Sequence, residues 1–108
     1  MNKQIEALIQ DELTRARTMF APINSNHEGY AVVLEEMEEA DGQITLLKHR
    51  ILGAWCGTKD NDNALVNAYI TQAAEHARGA IKELIQVAAM CDRWAQDVLK
   101  EAADGKGQ

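Results

Sequence analysis

The chain has 108 residues, a formal charge of -6, 46% apolar residues and 5% aromatic ones. That length holds one domain with a single modest core. The acidic balance argues against a nucleic-acid polymer as partner, because displacing backbone counterions needs clustered Lys and Arg.

Ala, Leu, Glu, Gln and Met dominate, and Pro22 is the one proline, so helix formers prevail and little favours strands. The spacing of Ile5, Leu8, Ile9, Leu13, Ala16 and Phe20 predicts a first helix from about Lys3 to Met19. Ala21-Pro22-Ile23-Asn24 ends it, since proline disfavours helix for the residue before it. Ser25 followed by Glu28 has the form of a capping box opening a second helix. This helix carries Tyr30, Val33, Met37, Ala40, Ile44, Leu47 and Ile51 in alternating threes and fours and is expected to stop near Gly57.

The polar stretch from Thr58 to Asn63 reads as a turn, with Asn61 or Asp62 capping the next helix. From Ala64 to about Ala103 there is no proline, and the apolar stripe includes Leu65, Ala68, Ala73, Ile81, Leu84, Ile85, Ala88, Cys91 and Val98. Gly79 weakens the stripe by about 1 kcal/mol relative to Ala, so the stretch is either one long helix or two joined there. The expected domain covers residues 1–103, with 104–108 a polar, flexible tail. Cys56 and Cys91 sit in apolar helical settings and are expected to be buried thiols rather than a disulfide.

A short turn between two long amphipathic helices makes them antiparallel neighbours. With the pivot near Asp60, residues whose numbers add to about 120 come level, because both helices rise ~1.5 Å per residue. The expected architecture is therefore an all-α antiparallel helical hairpin with an N-terminal helix packed across it. Its long stripes call for a homodimer or tetramer to complete the bundle.

Within this frame one segment stands out. Glu35, Glu36, Glu38 and Glu39 crowd about one and a half turns of the second helix, and like charges three or four residues apart repel. One reading is an ordinary solvated acidic face. The other is a hard divalent cation. The hairpin register brings Glu36 and Glu39 level with Glu83, which stands in an otherwise apolar run, with Gln86 one turn beyond. Together they form an oxygen-donor set suited to Mg²⁺ or Mn²⁺. None of the three histidines has a glutamate three positions earlier, so a ferritin-type di-iron site does not fit.

The pattern Glu35-Glu36-x-x-Glu39 followed by Glu83-x-x-Gln86 resembles the Glu-Glu-x-x-Glu and Glu-x-x-Asp signature of the MazG-like all-α nucleotide pyrophosphohydrolases. Asn24-Ser25-x-His27-Glu28-Gly29-Tyr30-Ala31-Val32 and Glu83-Leu84-Ile85-Gln86-Val87-Ala88-Ala89-Met90 are similar to phage and prophage members of that superfamily. The resemblance spans roughly residues 20 to 95. It implies that Glu36, Glu39 and Glu83 bind Mg²⁺, with Glu35 a ligand or a support to the ligands. The implied reaction is attack of water on the α-phosphorus of a nucleoside triphosphate, releasing pyrophosphate and a (deoxy)nucleoside monophosphate.

A free carboxylate of Glu35 or Glu38 would take the water's proton. Lys82 and Arg93 could reach triphosphate oxygens, and His27 could face substrate. Assembly as an oligomer, with the pocket near the subunit interface, is also implied. Gln86 stands where the family has an aspartate, and a neutral amide binds Mg²⁺ more weakly than a carboxylate. That departure keeps a second reading open, in which a non-catalytic helical homo-oligomer retains the fold and binds a nucleotide or protein.

No segment approaches the roughly 20 apolar residues that cross a bilayer. The opening residues, Met1 to Glu6, lack the apolar core of a signal peptide. The expected location is cytoplasmic.

Overall fold

The structure, a computed structural model, describes residues 2–100. It is all-helical: α1 spans Lys3–Met19, α2 spans Asn26–Lys59 and α3 spans Asn63–Trp94, followed by a π-helical stretch, Ala95–Lys100. Among the described residues there is no strand, and no helix is long and apolar enough to cross a membrane.

The helix ends rest on local chemistry. Asn2 caps α1, its Oδ1 accepting from the backbone N–H of Gln4 at 2.7 Å and of Ile5 at 3.3 Å. Ser25 caps α2, its Oγ accepting from Glu28 N–H at 3.1 Å. The reciprocal half of the capping box is displaced by one residue, since the Glu28 carboxylate accepts from Asn24 N–H at 3.2 Å. Asp62 caps α3 through Leu65 N–H at 3.0 Å, while Asn61 takes the left-handed turn conformation with φ 54°. α2 runs past Gly57 to Lys59, and α3 runs through Gly79 without a break. The expected end of the last helix, Ala103, and the tail lie outside the described residues. Within them the helix changes to π geometry at Ala95.

The chain divides into two compact units, residues 1–37 with 84–108, and Glu38–Glu83. The first unit has its core where Ile9, Leu13 and Ala16 of α1 meet Ala89 and Met90 of α3, with Val32, Val33, Ile85 and Ala88 packed around them. Half of the predicted α1 stripe is therefore inside, and Ile5, Leu8 and Phe20 are exposed. Ile23, in the break between helices, is 2% exposed and anchors that connection. In the second unit the buried apolar residues are the small ones, Ala40, Ala54, Ala73 and Ala80, which lets helix backbones approach closely. Cys56 and Cys91 are free, as expected, but both are exposed rather than buried.

Gly29 is required by close packing: a Cβ built there would overlap the Trp94 indole, whose Nε1 donates to Asn26 Oδ1 at 2.9 Å. Gly42, by contrast, has open space within 4 Å of the same position. Alanine gains about 1 kcal/mol over glycine in a helix interior, whereas overpacking costs about 1–3 kcal/mol. Gly42→Ala is thus expected to raise the melting temperature and Gly29→Ala to lower it, in thermal unfolding monitored by circular dichroism.

Candidate functional site

Glu36 and Glu39, one turn apart on α2, and Glu83 on α3 each offer one carboxylate oxygen, and these oxygens all lie within 4.8 Å of one another. Glu39 is exposed and the other two are half-buried. Carboxylate donors match the preference of Mg²⁺ and Mn²⁺. The donor set therefore fits such an ion.

Glu36 also lines a cavity of about 470 Å³ in the first unit, together with Glu35, Gln86 and Arg93. Its other walls include Glu12, Arg15 and Phe20. Two guanidinium groups thus share the cavity with several carboxylates, an amide and an aromatic ring. Arg15 donates from Nε to Glu12 Oε2 at 3.0 Å. That hydrogen bond, and the Glu12 charge, push the Arg15 pKa up, with a smaller contribution from Glu36. Arg15 is thereby held as a cation near the carboxylate group.

Arg93 is 4% exposed, the one buried charged residue among the described residues. Its Nη2 donates to Ala21 carbonyl oxygen at 2.6 Å, and its guanidinium lies 5.8 Å from the centre of the Phe20 ring. Its Nε is 4.0 Å from Asp97 Oδ2. Asp97 holds the connection between α1 and α2 in place: Oδ2 accepts from Ile23 N–H at 2.9 Å and Oδ1 from Arg17 Nη1 at 2.8 Å. Burial alone would push the Asp97 pKa up, but the Ile23 N–H, Arg17 and Arg93 together outweigh it and hold the carboxyl below its ordinary value.

The other residues singled out in the sequence lie apart from this arrangement. Glu38, His27 and Lys82 are exposed and do not line the cavity. Arg78 is exposed and paired with Glu75 at 3.1 Å. Sequence reasoning did not find Glu12, Arg15, Phe20 or Asp97. The three on or just after α1 read as an ordinary polar flank and the end of an apolar stripe. Asp97 depends on the π-helical stretch, for which the sequence offers no signal.

Compared with known proteins, the chain matches no family model, no curated protein and no solved structure.

Proposed function

We propose that this chain is a Mg²⁺- or Mn²⁺-dependent nucleoside triphosphate pyrophosphohydrolase of the MazG-like kind, acting in the cytoplasm as a homo-oligomer. The observation that carries the reading is the Glu36, Glu39 and Glu83 group, together with the cavity that shares Glu36 with it. In this reading those three carboxylates hold the cation. When bound, it would lower the pKa of water and neutralise charge building on the phosphate oxygens.

Glu35, in the cavity wall, is the carboxylate best set to accept a proton from the attacking water. Glu38 is exposed and away from the cavity lining, which leaves it the weaker candidate for that role. Arg93 and Arg15 would donate to phosphate oxygens as charge develops there. Phe20 would give the rest of the nucleotide an apolar ring to lie against.

The antiparallel pairing of α2 and α3 belongs to the same proposal. Supporting it are contacts whose residue numbers add to about 120, the register expected from a pivot at Asp60. His76 Nδ1 is 3.1 Å from Gln43 Oε1, Tyr69 covers Gly53 and Gln43 covers Gly79. Trp94 reaches Asn26.

The test is release of inorganic pyrophosphate from a broad panel of ribo-, deoxyribo- and modified nucleoside triphosphates, with Mg²⁺ and with Mn²⁺. Turnover of one nucleotide class, absent in EDTA, is the expected result. A flat panel with both metals would overturn the catalytic reading. Gln86, half-buried in the cavity wall, favours a second reading in which the pocket binds without turnover. Metal- and nucleotide-dependent thermal stabilisation with no pyrophosphate would select that one.

A further inference from the structure

α2 is apolar on two sides. One side is turned inward, with Ala40, Ala54 and Gly57 buried and Val33, Gln43 and Leu47 half-buried. The other carries the exposed Tyr30, Leu34, Met37, Ile51 and Trp55, with Ile44 half-buried at its centre, at spacings that repeat every seven residues. Tyr30 is 61% exposed, Leu34 40%, Met37 44%, Ile51 52% and Trp55 55%. An apolar seam of this period on a long helix is the pattern by which helices pair.

Two charged residues complete the seam, Asp41 and Lys48, both exposed. Neither is in an ion pair among the described residues. These charges decide what can cover the seam. A parallel copy would set Asp41 against Asp41 and Lys48 against Lys48, which costs stability twice. An antiparallel copy, related by a two-fold axis near Ile44, sets each Asp41 within a turn of the partner's Lys48. It also brings Leu34 and Tyr30 near the partner's Ile51 and Trp55.

We propose that α2 pairs with α2 of a second copy in this antiparallel register, with the two Asp41–Lys48 pairs fixing orientation. A two-fold pairing is self-complementary and closes, so the assembly stops at the dimer through this face. The proposal rests on the homo-oligomer part of the functional reading and supplies its surface. It does not depend on catalysis, because Asp41, Lys48 and Ile51 lie outside the candidate site.

The test is sedimentation equilibrium across the micromolar range on the full chain and three variants, each checked for helix content by circular dichroism. The unmodified chain is expected to dimerise, and Ile51→Glu to be a folded monomer. Asp41→Lys is expected to raise the dimer dissociation constant by about tenfold or more. Asp41→Lys combined with Lys48→Asp should restore it, a rescue that general misfolding would not produce. A monomeric unmodified chain would overturn both the homo-oligomer reading and this surface. A dimer indifferent to Ile51→Glu, or a double variant no tighter than the single one, would overturn this surface alone.

Discussion

Replacing Glu39 with glutamine is expected to lower cation-dependent pyrophosphate release by about a hundredfold or more, and to remove the rise in melting temperature that Mn²⁺ gives the unmodified chain. The three carboxylate oxygens lie within 4.8 Å of one another, so one ion can reach all three. With a cation, the Glu39 charge is a ligand, and an amide replaces it poorly. A solvated acidic face would show neither effect. Stability assays with and without Mn²⁺, run beside the activity assay, therefore separate a metal ligand from a structural residue. A Glu39→Gln protein that keeps both its activity and its metal-dependent stabilisation would remove Glu39 from the site.

The largest stability effect is expected at Asp97. Its side chain is 8% exposed and faces Arg17, Arg93 and the Ile23 N–H. Asp97→Ala leaves the nearly buried Arg93 without its carboxylate and frees the connection that carries Phe20 and Ala21 past the cavity. Breaking a buried pair on one side costs about 3 kcal/mol, lowered here because Arg17 is partly exposed. The expected drop in melting temperature is roughly 10 °C for a domain of this size.

The same network predicts acid sensitivity. The folded-state pKa of Asp97 is lowered, so its contribution is fully present above the unfolded carboxyl value of about 3.9. It is lost as pH falls through the lowered folded value. Unfolding midpoints of the unmodified chain and Asp97→Asn should therefore differ most at neutral pH and converge in acid. Equal midpoints at neutral pH would show that Asp97 contributes little.

Much of the fold was legible because local signals and packing agree. The bounds of α1, the Ser25 cap and the Asp62 cap each rest on a few adjacent residues whose chemistry has one good solution. The closeness of Glu36, Glu39 and Glu83 was expected for a different reason, from the register that a short turn between long helices would impose.

Burial was harder to read. The single stripe assigned to α2 mixes two faces, because Ala40 lies inside while Tyr30, Met37 and Ile51 are exposed. Periodicity alone cannot say which side of a doubly apolar helix meets its own chain. The expected burial of Cys56 and Cys91 likewise fails, since both are exposed.

The cavity was out of reach for a third reason. Glu12, Arg15 and Phe20 join Glu36 and Arg93 only through how α1 packs, and the break at Pro22 carries no signal for that angle. The buried place of Arg93 depends on Asp97 and on Ala21, and Ala21 lies 72 residues from Arg93 in sequence.

The central claim is that Glu36, Glu39 and Glu83 together hold a divalent cation. Its most direct test is titration of the protein with Mn²⁺, monitoring the free ion by electron paramagnetic resonance, for the unmodified chain and for Glu39→Gln. Saturable loss of the free-ion signal with the unmodified chain, strongly weakened in the variant, is the predicted result. Equal binding by the two proteins, or none by either, would contradict the claim.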